Sequence, residues 1–214
     1  MKKDNIISIG VIIVTLGLIF IVTRDFFLNF ASDYKIIGGF VKFFFLATVG
    51  DFIALRIKSK EWKIPKYIFV KAIIWGLIGI SIVLMFIIYP YGIEALQDKK
   101  ILPFGGSTFF FALFVSILMN YTFAPTMMAF HRVTETYLNM RVTDKAITIT
   151  KATDSIDWTQ FIKFTIFKSI PLFWVPAHTI TFLLPEEYRI IFAAVLGIFL
   201  GLILGLFSNK KITR

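Results

Sequence analysis

The chain has 214 residues, 57% of them hydrophobic, and a formal net charge of +10. Soluble domains are about 45–50% apolar, so the composition favours a membrane protein over a soluble one. The sequence contains no cysteine, which excludes disulfides, thiolate metal sites and a cysteine nucleophile.

The apolar residues are grouped in six blocks separated by short charged stretches. A helix needs about 20 apolar residues to cross the hydrocarbon core, and these runs lack the alternation of a membrane β-barrel. The sequence therefore predicts an all-α, polytopic transmembrane helix bundle. Its six predicted spans are Ile6–Val22, Ile36–Ile57, Tyr67–Tyr89, Thr108–Phe130, Phe161–Leu184 and Tyr188–Phe207.

The first segment follows Lys2 and Lys3 and superficially looks like a signal peptide. Its apolar run is longer than the usual signal core of about 7–15 residues, and no small-x-small cleavage site follows it. We expect it to be retained as an extra N-terminal span within residues 1–30. Residues 1–214 are then a single integral membrane domain.

The fifth segment is the least apolar of the six. It contains Lys163, Lys168, Pro171, Pro176 and His178. Proline interrupts the hydrogen bonds of a helix, and lysine side chains tend to reach for the membrane surface. This segment is therefore predicted to be kinked or partly interfacial.

The basic residues distinguish the two sides of the predicted bundle. If the N-terminus is cytoplasmic, most of the 23 lysines and arginines lie in cytoplasmic segments, as the positive-inside rule requires. The sequence thus predicts both termini in the cytoplasm. The same residues are expected to contact anionic lipid head groups. No nucleic-acid partner is predicted, because the basic residues flank spans and form no separate domain.

Charged residues also lie within or at the edge of the second and third predicted spans. Asp51 follows Gly50 near the cytoplasmic end of the second segment, and Lys71 opens the third on the same side. One alternative is that the two form an ion pair. The other is that Asp51 caps backbone groups nearby and the Lys71 ammonium extends to the membrane surface. Lys42 either snorkels outward or points into a polar cavity.

Uncharged polar residues also occur at membrane depth. Asn120 lies five residues before the helix-interrupting Pro125, and it acts either as hydrogen-bonding glue between helices or as a pore-lining residue. His178 is accompanied by Thr179 and Thr181. The candidate residues of a polar path are Asp51, Lys71, Asn120, His178 and Thr181.

The chain offers little for catalysis. His131 and Glu135 are predicted to share a helix face, but only two histidines exist, and we predict no metal site and no cofactor. No Ser-His-Asp order, phosphate loop or zinc-protease motif is present. The chain is not predicted to be an enzyme; that alternative would need His131, His178 and Asp51 to converge.

Several blocks in a fixed order suggest a family. They are Gly50-Asp51, then Phe123-Ala124-Pro125 after Asn120, then Asp157-Trp158, and finally Trp174-Val175-Pro176-Ala177-His178-Thr179-Ile180-Thr181-Phe182 continuing through Pro185 to Tyr188-Arg189. This order resembles the Mpv-seventeen / peroxisomal-membrane-protein-twenty-two family of small integral membrane proteins, over residues 36–208. His178 and Thr181 replace the glutamine and asparagine usual in that family, which suggests a divergent, prokaryotic member.

The resemblance implies a location and a function. Members lie in mitochondrial inner or peroxisomal membranes, or in the cytoplasmic membrane for a prokaryotic member, and are proposed to form channels or to aid small-metabolite movement. The alternative is a structural or lipid-organising protein without transport activity, and a homo-oligomer remains open. The family-motif residues expected to be structural are Gly50, Pro125, Trp174, Pro176, Phe182, Pro185 and Arg189.

Overall fold

The computed structural model describes residues 34–59, 61, 63–193, 195 and 196. Within these ranges every regular element is a helix, which confirms the all-α prediction there. The elements are α1 (Lys35–Ser59), α2 (Ile68–Asp98), α3 (Thr108–Thr122), α4 (Ala124–Arg141), α5 (Ile149–Asp154), α6 (Trp158–Phe161), the π-helix π1 (Ile162–Trp174) and α7 (Val175–Leu183). A further helical stretch covers 186–193.

Two helices in the described part of the chain are long and apolar enough to cross a membrane. They are Ile68–Asp98 and the continuous helix Trp158–Leu183, and the bent pair α3 and α4 would make a third. The structure thus supports a membrane protein with two or three candidate spans. The first predicted span and most of the sixth lie outside the described residues, so six spans and the side of the termini remain predictions.

Helix α2 is longer than the third predicted span. It continues through Pro90 to Asp98, a length of about 46 Å at 1.5 Å per residue, which exceeds the hydrocarbon core of about 30 Å. The side chain of Gln97, near the end of the helix, bonds to the loop that follows. Its Nε2 donates to the carbonyl oxygens of Pro103 and Phe104, at 3.4 Å each.

The fourth predicted span is broken into α3 and α4. The two helices meet at Phe123 with a bend of 42°. Pro125 lies in the first turn of α4 and carries no N–H, so the carbonyl of Tyr121 cannot accept the usual backbone bond. The prediction that Pro125 interrupts a helix is confirmed.

Just before this bend, a hydroxyl pair ties α2 to α3. Thr122 Oγ1 donates to the carbonyl of Leu118 at 2.6 Å, so its own proton is used. Tyr89 Oη lies 2.6 Å from Thr122 Oγ1 and is therefore the donor of that bond.

The fifth predicted span is one continuous helix that contains both Pro171 and Pro176. Residues 162–174 adopt π geometry, and the Val175 N–H donates to the Ile170 carbonyl, five residues back. Because π-helical bonds join residues five apart, such residues lie on one face. Ile162, Phe167 and Leu172 are accordingly all exposed.

The chain divides into two compact units. In the first, which holds the described residues up to Ile80, α1 packs against the first half of α2 through glycines. A β-carbon built on Gly79 would lie 2.6 Å from the Gly39 carbonyl oxygen, and one on Gly76 would lie 2.5 Å from the Phe40 ring. Only glycine permits these helices to approach so closely.

The second unit, Ser81–Ala193, has its most extensive helix contact between α3 and α7. Small residues recur every four positions at this contact, which lets the backbones approach closely. On α3 these are Ala112 and Ser116, and on α7 they are Ala177 and Thr181; Ala112, Ser116 and Thr181 have no exposed surface.

Large apolar side chains cover much of the outer surface of both units. Examples with about half or more of their surface exposed are Leu77, Ile88, Phe109, Phe167, Leu172 and Ile180. So many exposed apolar side chains are unusual in a water-soluble monomer. Their placement is that expected of helices that face lipid.

The close approach at Gly79 yields a matched pair of substitutions on α2. Gly79→Ala should lower the stability by about 1–3 kcal/mol, because the added methyl group meets the backbone oxygen of Gly39. Gly92→Ala is the control: a β-carbon there has no neighbour within 4 Å, and alanine favours a helix by up to about 1 kcal/mol. Thermal unfolding of the purified proteins in detergent measures both. Equal melting temperatures for the two variants would contradict this account.

Candidate functional site

A cluster of buried polar side chains lies between α3 and α7 in the second unit. Asn120 lies one turn after Ser116 on α3, and His178 lies one turn after the start of α7. Asn120 and Ser116 have no exposed surface, and His178 is 9% exposed. The small residues that bring the two helices together also place these side chains in contact.

Asn120 joins the two helices. Its Nδ2 donates to the Ser116 carbonyl at 2.8 Å, and because a carbonyl only accepts, this bond fixes which way the amide points. The other N–H of Nδ2 faces His178 Nδ1 at 2.9 Å, with Ser116 Oγ farther away at 3.2 Å. Asn120 thus bonds within α3 through Ser116 and reaches α7 through His178.

Asn120 presents both a donor and an acceptor to His178. Nδ1 lies 2.9 Å from Asn120 Nδ2 and 3.1 Å from Asn120 Oδ1. Nδ1 therefore accepts from the amide N–H in one tautomer and donates to the amide oxygen in the other. Within the described part of the chain, Nε2 has no hydrogen-bond partner.

Hydroxyl groups complete the link at the point where π1 becomes α7. Ser116 Oγ donates to the Val175 carbonyl at 2.7 Å, and Thr179 Oγ1 donates to the same oxygen at 2.8 Å. Thr181 Oγ1 donates to the Ala177 carbonyl at 2.9 Å. All three hydroxyl protons are therefore used within the protein.

Aromatic rings enclose the imidazole. Trp174 stacks on His178 with ring centroids 5.3 Å apart and 28° between the planes, and Phe86 meets it edge-on at 5.9 Å. Phe86 also contacts Phe182 at 4.9 Å. Trp174 Nε1 is shielded from solvent and has no hydrogen-bond partner among the described residues. The cluster thus leaves the indole N–H of Trp174 buried without a hydrogen bond.

The predicted polar-path residues are only partly brought together. Asn120 and His178 are in direct contact, while Thr181 is buried one turn farther along α7 and bonded to its own helix. Lys71 lies in the first unit, at the start of α2. Asp51 lies in α1 next to Gly50, and its side chain is not described by the structure. The ion pair with Lys71 therefore remains a prediction.

The burial of Lys42 argues against the outward one of its two predicted orientations. Its side chain is 6% exposed, so it is enclosed by the protein and does not lie along the lipid-facing surface. A charged side chain at this depth is costly unless it faces a polar environment. The sequence had left both orientations open.

Arg189 caps the end of α7. Its Nε donates to the Leu184 carbonyl at 2.9 Å and its Nη2 to the Phe182 carbonyl at 3.2 Å, with the guanidinium 5.6 Å from the Phe182 ring centre. Pro185 lies between the two helical stretches. A cation at a helix C-terminus satisfies carbonyls that have no partner within the helix.

The remaining sequence candidates have local contacts. Pro176 lies in the first turn of α7, inside the continuous helix Trp158–Leu183, so its missing N–H leaves a carbonyl of the preceding turn without the usual backbone bond. His131 Nδ1 lies 4.0 Å from Glu135 Oε2, one turn along α4, which confirms that they share a face. His178 contacts Asn120 and not this pair.

Sequence reasoning missed Ser116. The signal was present, because Ala112, Ser116 and Asn120 are spaced four apart on one helix, which is the small-x-x-x-small pattern of close membrane contacts. It also placed Trp174 only among the structural motif residues. No sequence pattern indicates that its N–H is left without a partner.

Comparisons with protein-family models, with curated proteins and with solved structures give no match for this chain. The family resemblance therefore remains a prediction from the residue blocks.

The Asn120 bridge predicts a large loss of stability on truncation. Asn120→Ala should destabilise the protein by about 1–3 kcal/mol, because His178 Nδ1 loses its partner on α3 while still buried. Ile117→Ala, at an exposed position on the same helix, is the control and should cost much less. Both are measured by thermal unfolding in detergent, and an equal loss in the two would rule out the bridge.

The Arg189 cap predicts a smaller effect. Arg189→Gln should lower the free energy of unfolding by about 0.5–2 kcal/mol, because two carbonyls at the end of α7 lose a cationic donor. Lys66→Gln removes an exposed cation from the connection between α1 and α2 and should change it little. Denaturant unfolding monitored by helix content compares the two; no difference between them would dismiss the cap.

Proposed function

We propose that this chain is a multi-pass membrane protein that lets small polar solutes pass, with the His178 cluster lining or gating their path. The observation that supports this most is the state of His178. It lies within a helix of membrane length, one ring nitrogen is fixed by Asn120, and the other has no partner in the described residues. Ionisable residues in such helices commonly mark solute pathways.

The proposal extends to topology and family. Six spans with both termini in the cytoplasm agree with the distribution of basic residues. Membership of the Mpv-seventeen family agrees with the order of the motif blocks, and the motif residues Pro125 and Arg189 have defined structural roles at the α3–α4 bend and the α7 cap. These points support the proposal without deciding it.

A second candidate function is structural. The bonds among Ser116, Asn120 and His178 Nδ1 are internally complete, as expected of helix glue. In that case the cluster only holds α3 against α7, and the protein organises the membrane without passing solute. The unpartnered nitrogens of His178 and Trp174 favour the first candidate, because a purely structural cluster has no need of them.

Flux measurements separate the two. The full chain, reconstituted in neutral phosphatidylcholine vesicles, should speed the entry of at least one of potassium acetate, acetamide, glycerol and methylammonium chloride, followed by stopped-flow light scattering. His178→Phe should reduce this flux several-fold, because the phenyl ring keeps the stacking and removes both nitrogens.

The matched control is His131→Phe, which changes the other, half-exposed histidine on α4 and should leave the flux unchanged. Rates equal to those of protein-free vesicles for every solute would reject the permeability function and leave the structural one. Circular dichroism of each variant checks that the helices are retained.

A further inference from the structure

The outer face of π1 carries two neighbouring rows of exposed side chains. The apolar row consists of Ile162, Phe167 and Leu172, which are 46%, 70% and 78% exposed. The second row consists of Lys163 and Lys168, which are also exposed. Within each row the residues are five apart, which is the spacing of the hydrogen bonds in a π-helix. Because the two rows begin at adjacent residues, the lysine pair lies beside the apolar row.

The lysine pair has no acidic partner in the described part of the chain. Neither lysine forms an ion pair or a side-chain hydrogen bond with a residue that the structure describes. The helix Trp158–Leu183 contains no aspartate or glutamate. Asp157 precedes it, and its Oδ1 accepts from the Gln160 N–H at the start of α6. The outer face of π1 is therefore positively charged.

The lysine pair lies toward one end of a helix that is long enough to cross a membrane. Lys163 and Lys168 follow Trp158 by five and ten residues, so both belong to the N-terminal half of Trp158–Leu183. A lysine near the end of a membrane helix extends its ammonium to the head groups and keeps its aliphatic stem among apolar groups. The apolar row continues to Leu172, toward the middle of the helix, where the acyl chains of the lipids lie.

We propose that this face binds one anionic phospholipid, whose phosphate contacts the ammonium groups of both Lys163 and Lys168. One acyl chain of the lipid then lies along the apolar row. Lysine binds phosphate as a point charge, and an anion between two ammonium groups offsets their mutual repulsion. The site needs a membrane location for this helix and does not depend on the permeability function proposed above.

The site is tested by native mass spectrometry of the full chain in detergent, which separates phosphatidylglycerol adducts from phosphatidylcholine adducts. The wild type should bind its first phosphatidylglycerol more tightly than phosphatidylcholine. A lysine near an anionic lipid contributes about fivefold in affinity, so Lys163→Gln and Lys168→Gln should each weaken this binding about fivefold, and the double variant about 25-fold. Binding of phosphatidylcholine should stay unchanged.

The matched control is the double variant Lys99→Gln and Lys100→Gln, which removes the same charge from exposed positions in the loop after α2. It should change the affinity for the first phosphatidylglycerol less than about twofold. An equal loss in the two double variants would show attraction by net charge alone and would overturn the site. Glycerol phosphate, the head group without acyl chains, should bind at least about tenfold more weakly than the lipid. Equal affinity for the two would overturn the lipid as the ligand.

A second measurement uses the unaltered protein, so it does not depend on the folding of a variant. In nanodiscs of equal parts phosphatidylglycerol and phosphatidylcholine, a water-soluble acetylating reagent should modify Lys163 and Lys168 several-fold more slowly, relative to Lys99 and Lys100, than in nanodiscs of phosphatidylcholine alone. Peptide mass spectrometry follows each lysine separately. The same ratio of rates in both kinds of nanodisc would overturn the site.

Discussion

The second unit depends on one constraint: polar groups placed between apolar helices have to find their partners within the protein. Lipid offers no hydrogen bonds, so the amide of Asn120 and the hydroxyl of Ser116 form hydrogen bonds across the helix contact only if α7 supplies partners. It does so through the His178 ring and the Val175 carbonyl. The packing of α3 against α7 thus depends on a few hydrogen bonds between the two helices.

This constraint explains why small and polar residues occur together. Ala112, Ser116 and Ala177 allow the backbones to approach, and only a close approach lets short side chains such as serine reach the opposite helix. The first unit uses the same device, since Gly79 packs directly on the Gly39 carbonyl. In both units the small size of the contacting side chains permits the close approach of the helices.

Much of the described fold is predictable from the sequence. Apolar block length fixed the helices near 68–89 and 161–184, and Pro125 located the bend, because both follow from local rules. The π geometry of residues 162–174 was not predicted, because a proline within a helix indicates a lost hydrogen bond and not a change from four-residue to five-residue bonding. Asn120 and His178 were recognised as polar residues at depth, but their contact is a tertiary event across 58 residues, which no local pattern encodes.

The π-helix has a consequence for the register of the long helix Trp158–Leu183. Each residue of an α-helix advances the chain by about 100° around the axis, and a π segment accommodates residues that an α-helix of the same rise would not hold. Lys163 and Lys168, five residues apart in the π segment, are both exposed, while His178 is buried. In an α-helix, residues five apart differ by about 140° around the axis, so the π geometry is what keeps the two lysines on one face.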